Sequence, residues 1–183
     1  MTNYYLDIET TGLDPKESKI ITIQFQKLDR YTGKPEGDLV ILKEWESSEK
    51  EILSDFIEMT GIINAEDDFN FVSTGYNLGF EHNFLKERTK INGLPVIDIL
   101  NKPFIDLRSI GILMNSGQFK GSGLDKITGK KSDGSNIPNW YLTKEYQKII
   151  DYILNETEEF LFFNSWLYSR MPELLSEFKR ELD

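Results

Sequence analysis

Residues 4–15, YYLDIETTGLDP, constrain this chain more than any other stretch. Tyr4, Leu6 and Ile8 alternate with Tyr5, Asp7 and Glu9, the period of a β-strand whose two faces differ. One face is apolar; the other sets Asp7 and Glu9 side by side. Carboxylates two residues apart on a strand project the same way and repel each other unless positive charge lies between them. A hard divalent cation, which prefers oxygen ligands, is the natural neutraliser. Thr10, Thr11, Gly12, Asp14 and Pro15 then turn the chain, placing the acidic pair near the strand's end. A bare Asp-x-Glu would more simply be two solvated acids on an edge strand, so the remainder of the chain has to decide.

At 183 residues, with 39% apolar and 13% aromatic residues, the chain is expected to form a single domain with a substantial core. No apolar run is long enough to span a bilayer, and the first strand follows Met1 too closely for a signal peptide. Cysteine is absent, which rules out disulfides and thiolate zinc sites, and a cytoplasmic protein is expected. The net charge of −10 argues against coating nucleic acid by bulk electrostatics. It leaves room for a protein that holds a strand end through metal ions and a local basic patch.

Residues 19–27 and 39–45 read as the second and third strands, joined through the turn residues of 30–37. Residues 48–59 have helical spacing with Ser48 as cap, 69–75 read as a strand and 80–91 as a helix. A short strand, 104–106, leads into a helix over 107–114, with Asp106 as a helix cap. Residues 118–138 read as loop around one short helix near Leu124 and Ile127. A long helix is expected over 144–167 and a last one over 172–182. Strands first, then alternating helices and strands, indicate an α/β domain: a central mixed sheet, antiparallel meander plus parallel strands, flanked by helices.

Three acidic regions resemble a known family. DIETTGLDP resembles the first motif of the 3′–5′ exonucleases of the ribonuclease H-like superfamily, the DEDD group. GYNLGFEHNFL (75–85) resembles the second, with Asn77, Phe80, Phe84 and Leu85 in place and Glu81 where the family usually has Asp. Without the first motif, Phe80, Phe84 and Leu85 would read equally well as the buried face of an ordinary helix. The third motif separates a histidine subtype from a tyrosine subtype, and the only histidine, His82, lies inside the second motif.

The tyrosine subtype has Tyr-x-x-x-Asp, for which Tyr141–Glu145 and Tyr152–Glu156 are near-matches; Tyr146 precedes Asp151 at one residue too many. At about 100° per residue, Ile149, Ile153, Phe160 and Phe163 share one stripe that includes Glu156, with Tyr152 one turn earlier. Asp151, Asn155 and Glu158 fall on the opposite face. A charge within an apolar stripe is costly unless paired or bound to metal, so Tyr152 and Glu156 are chosen. Glu145, at the helix start, is explained as a favourable first-turn charge.

The resemblance implies an exonuclease that works from the 3′ end of a nucleic-acid strand with two divalent cations, Mg²⁺ or Mn²⁺ suiting an all-oxygen site. It implies Asp7, Glu9, Glu81 and Glu156 as metal ligands, with Asp7 bridging. Leu13 and Phe80 would pack on the terminal base, and Thr10, Thr11, Gly12 and Asn77 would line its sugar and phosphate. The phenol of Tyr152 has too high a pKa for a base, so it would orient the water. Within the group the chain looks most like the proofreading domains of family B DNA polymerases, which favours DNA slightly over RNA. The rival expectation is a degenerate domain that binds nucleic acid or a protein without cutting. Lys120, Lys126, Lys130 and Lys131 could track a backbone, although lysine-rich loops are usually just solvated. Met171, Leu174, Leu175, Phe178 and Leu182 form a stripe expected to dock on the domain itself, or else on a partner.

Overall fold

The computed structural model describes residues 2–64, 68–129 and 134–182. Five strands, β1 (Asn3–Thr10), β2 (Ile20–Leu28), β3 (Val40–Lys43), β4 (Val72–Gly75) and β5 (Phe104–Asp106), form one sheet in the order β3-β2-β1-β4-β5. The first three pair antiparallel, whereas β4 runs parallel to both β1 and β5, which gives the expected mixed sheet. The helices are α1 (Glu49–Thr60), α2 (Gly79–Ile91), α3 (Arg108–Met114), α4 (Leu124–Thr128), α5 (Ile137–Leu142) and α6 (Tyr146–Glu181).

The alternation of β1 sorts its side chains between two helical layers. Leu6 and Ile8 pack with Ile52, Leu53 and Phe56 of α1 and with Phe84 and Leu85 of α2. Tyr5 faces the other way, onto Phe160, Phe163 and Leu167 of α6, its ring centroid 4.7 Å from that of Phe160. β1 is therefore a central strand covered on both faces, and the reading of solvated edge acids is excluded. Burying side chains of this size contributes on the order of 2 kcal/mol each, enough to hold α6 across the acidic face of the strand.

A register shift between Glu9 and Thr10 sets Glu9 opposite Thr22 but Thr10 opposite Ile20. The extra residue, Ile21, turns toward Ile149 and Ile153 of α6, while Ile20 and Ile23 stay with the α1 layer. Such bulges bend a strand and re-aim its side chains, here at the end of β1 that carries the acids. At the end of β4, Gly75 is required by close approach: a Cβ there would stand 2.9 Å from the backbone oxygen of Leu6.

Several local expectations change. The third strand ends at Lys43 and passes into a 3₁₀ turn, Glu44–Glu46, and the fourth begins only at Val72. Ser48 caps α1 as expected, its Oγ accepting from Glu51 N at 3.2 Å. Helix α5 begins at the last two residues of the expected loop and runs beyond it, and Pro138 in its first turn is the start signal that the glycine- and serine-rich surroundings hid. The two last helices are one helix of 36 residues running through Pro172. Pro172 removes one internal donor, but strong helix formers flank it on both sides and the helix resumes at once.

That continuity carries the last turns past the edge of the domain. Every side chain from Ser169 to Leu182 is exposed, so the stripe of Met171, Leu174, Leu175, Phe178 and Leu182 is not buried against its own domain as expected; Met171 and Leu175 only line an open hollow with Tyr31, Ile105 and Ile110. Lys120 and Lys126 are exposed, while Lys130 and Lys131 lie outside the described residues. Among the described residues no helix is long and apolar enough to cross a membrane.

Candidate metal centre and cleft

Three carboxylates from two distant elements meet at the end of β1. Asp7, Glu9 and Glu156 each offer an oxygen, and these oxygens all lie within 4.8 Å of one another. Asp7 and Glu9 share a face of β1 by strand period, and Glu156 comes from the stripe of α6 that also buries Ile149, Ile153, Phe160 and Phe163. The wet face expected for Asp151, Asn155 and Glu158 is exposed.

Glu81 arrives from the first turn of α2 and is 4% exposed. Burial pushes its carboxyl well above the ordinary range, and the negative charge of Asp7 adds to the shift. Burial likewise raises Asp7, whose carboxylate lies close enough to Glu81 for the two to share a proton. Glu81 Oε2 is buried with no hydrogen-bond partner among the described residues. Four acids thus converge with too little positive charge around them, and a hard cation is the group that this donor set fits.

One oxygen of Asp7 is held from behind. Its Oδ2 accepts from Gln24 Nε2 at 2.9 Å and from the Tyr5 hydroxyl at 3.2 Å. Thr22 Oγ1 donates to Gln24 Oε1 at 3.0 Å, and Thr157 Oγ1 lies 3.4 Å from the Tyr5 oxygen. Thr22 and Gln24 are fully buried on a central strand. Sequence reasoning missed this support; its signal was the alternation of Thr22, Gln24 and Gln26 with apolar residues in β2.

The hydroxyl of Tyr152 hydrogen-bonds the Glu156 carboxylate, and burial together with that charge drives its pKa far upward, so it stays a neutral donor. Gly134 lets the neighbouring turn pass close by: a Cβ there would stand 2.8 Å from the Tyr152 oxygen. Tyr141 belongs elsewhere, donating to Glu44 Oε2 at 2.6 Å, and Glu145 sits at the N-cap of α6. His82 lies 3.4 Å from Asp98 and has its pKa lowered by burial, away from the acidic cluster.

Beside Glu9 a cleft of about 400 Å³ is lined by Thr10, Gly12, Leu13 and Phe80 on one side and by Ser135, Ile137 and Pro138 on the other. Leu13 is 87% exposed at its rim. Thr10 donates its hydroxyl to Gly12 O at 2.6 Å, and Thr11 Oγ1 accepts from Lys19 N at 3.0 Å, so both shape the turn that carries Gly12 and Leu13. Asn77 adopts a left-handed backbone, φ 75°, with its N–H given to Asp106 Oδ1 at 2.8 Å. Asp106 also accepts from Leu78 N at 3.0 Å and from Arg108 N at 3.0 Å; Leu107, not Asp106, is the N-cap of α3, and Asp106 instead joins the start of that helix to the turn into α2.

The fold has known counterparts. The zinc-bound form of the E. coli exonuclease I–ssDNA complex superposes with a TM-score of 0.64 at 12% identity, over 96% of this chain and 42% of that one. E. coli exonuclease I with a dT13 oligonucleotide gives a TM-score of 0.62 at 12% identity, over 96% and 43%. A complex of exonuclease I with SSB-Ct gives 0.60 at 11%, over 96% and 43%. The chain thus spans about two fifths of the length of the exonuclease I chains that it resembles. No curated protein matches by sequence. Residues 4–157 match the family described as the RNase_H superfamily, and the chain belongs to it.

Proposed function

We propose that the chain removes nucleotides one at a time from the 3′ end of a nucleic-acid strand, with DNA favoured over RNA, using two divalent cations, Mg²⁺ or Mn²⁺. The observation that carries this reading is the meeting of Asp7, Glu9 and Glu156 within 4.8 Å, with Glu81 against Asp7. In this reading Asp7 would be shared by the two ions, Glu9 and Glu156 would help hold one of them, and Glu81 would help hold the other. A pair of such ions supplies a nucleophile at neutral pH and Lewis-acid stabilisation of the attacking and leaving oxygens.

The chain's own groups supply position. Tyr152, kept protonated and donating to Glu156, orients the nucleophilic water by accepting from it and does not act as its base. Leu13 and Phe80 pack on the terminal base, and Gly12 lines the same cleft beside Glu9. Thr10, Thr11 and Asn77 contact the sugar and phosphate by resemblance. The tyrosine four residues before Glu156 supports assignment to the tyrosine subtype, like the proofreading domains of family B polymerases. DNA is favoured partly because the similar exonuclease I structures hold ssDNA and a dT13 oligonucleotide.

Digestion of 5′-labelled DNA and RNA oligonucleotides with Mg²⁺, Mn²⁺ or EDTA, beside an Asp7→Ala control, tests the reading. A metal-dependent ladder shortening from the 3′ end, absent from the control, is expected. Equal activity in the control marks a contaminant. Tight binding without cleavage would replace this reading with that of a non-cutting binding domain.

A further inference from the structure

The rim of the cleft is also the wall of a second pocket. Leu13 and Phe80 line both, and on the far side they face a hollow of about 230 Å³ between the turn after β1 and the outer surface of α2. Its apolar wall is completed by Pro15 and Phe84. Its polar wall holds Lys16, Lys86 and Lys90 against one carboxylate, Glu87. For a chain of net charge −10 this is a local reversal of sign.

The reversal is available to a ligand. Lys16 is exposed and makes no ion pair among the described residues. Lys90 meets Glu87 at only 3.8 Å, with the Lys90 side chain about half exposed, a pairing worth little. Lys86 is bound to Asp98 at 2.6 Å and so contributes mainly its stem. The turn is also pinned in place: Asp14 Oδ1 accepts from Lys16 N at 2.9 Å, and Arg88 of α2 donates to Pro15 O at 3.3 Å. Leu13 therefore stands as a fixed crest between an acidic cleft and a basic hollow.

We propose that this hollow binds the nucleotides that precede the terminal one, with Lys16 and Lys90 on their phosphates and Leu13, Pro15 and Phe80 against a base. The strand then reaches the acidic cluster across the Leu13–Phe80 crest, and the lysine-rich segment around Lys120 and Lys126, which lines neither pocket, takes no part. The inference rests on the nuclease reading above and adds the direction from which the strand enters. An apolar wall next to one unpaired and one weakly paired ammonium group is the combination that holds single-stranded backbone and base together without reading sequence.

The test compares a 5′-labelled dinucleotide with an oligonucleotide of about eight nucleotides by fluorescence anisotropy, with Ca²⁺ replacing Mg²⁺. The unsubstituted chain is expected to bind the longer strand more tightly. Lys16→Ala/Lys90→Ala should lose most of that gain, roughly tenfold, and flatten the salt dependence of its log affinity by about one to two. Lys120→Ala/Lys126→Ala, the same change in net charge, should keep it. If Lys16→Ala/Lys90→Ala keeps the gain, or both double variants lose it alike, the hollow is not the subsite, while 3′ shortening by the unsubstituted chain would leave the nuclease reading intact. If the unsubstituted chain neither binds nor shortens any strand, both fall together.

Discussion

Gln24 on β2 donates its side-chain amide to Asp7 Oδ2 on β1 at 2.9 Å, and the two residues are direct partners in the antiparallel register. Gln24 is fully buried, and Thr22 fixes which end of its amide points at Asp7. With the Tyr5 hydroxyl on the same oxygen, Oδ2 of Asp7 is held from behind while the carboxylate also meets Glu81. Second partners of this kind typically alter metal affinity by tenfold or more.

Tyr5→Phe removes the hydroxyl and keeps the ring on Phe160. It should weaken Mn²⁺ binding by roughly tenfold, measured by calorimetry, while leaving the fold intact. Gln24→Leu should do the same and add a stability loss of about 1–3 kcal/mol, because Thr22 is left unpartnered inside the sheet. Unchanged Mn²⁺ affinity in both variants would mean that Asp7 needs no support from behind.

Glu81→Gln should raise the stability of the metal-free chain while abolishing tight binding of the second cation. Glutamine has the volume of glutamate, lacks its charge, and can donate to Asp7 where the carboxyl only shares a proton. Relief of a buried charge next to Asp7 should gain about 1 kcal/mol at neutral pH, read as a higher Tm. A lower Tm would show that Glu81 supports the fold in some way beyond its charge.

The parts of the molecule that were legible beforehand depend on local period. The face shared by Asp7 and Glu9 follows from strand alternation, and the stripe that delivers Glu156 follows from helix geometry within one segment. Both survive because a central strand and a long buried helix leave little choice of face. The Gln24–Asp7 bond depends on the register between two strands, and the ion pair of Glu49 with Arg88 joins residues far apart in sequence with no periodic signal. The bulge at Glu9 and Thr10 is equally silent, since one extra residue in a run of isoleucines changes no pattern. Pro172 misled for a different reason: proline lowers helix stability without forbidding a helix whose flanking residues favour it.

Arg88 forks onto Glu49, with Nε to Oε1 at 2.8 Å and Nη2 to Oε2 at 2.6 Å. Glu49 Oε1 also accepts from Ile20 N at 2.8 Å, and Asn92 donates to Oε2 at 3.1 Å. The pair is 13% and 9% exposed and ties α1, α2 and the start of β2 together. Arg88→Met should destabilise the chain by about 3 kcal/mol in urea, because it strands a buried carboxylate. Changing both partners, Glu49→Gln with Arg88→Met, should recover part of that loss. No recovery would mean that the backbone bond from Ile20, and not the ion pair, is what Glu49 serves.

The acidic cluster should make metal binding a proton-releasing event. Burial raises the carboxyls of Asp7 and Glu81 above their unfolded values, so the folded, metal-free chain holds protons that the unfolded chain has already lost. Stability from these groups is full below the ordinary carboxylate pKa of about 4 and declines as the pH rises through the raised folded values. The metal-free Tm should therefore fall as the pH is raised from mildly acid toward neutral, and saturating Mg²⁺ should flatten that decline by replacing the protons. Calorimetric titration with Mn²⁺ in two buffers of different ionisation enthalpy should show heats that differ in proportion to the protons released. Identical heats in both buffers would place the cation away from Asp7 and Glu81, and with it would go their role as shared ligands.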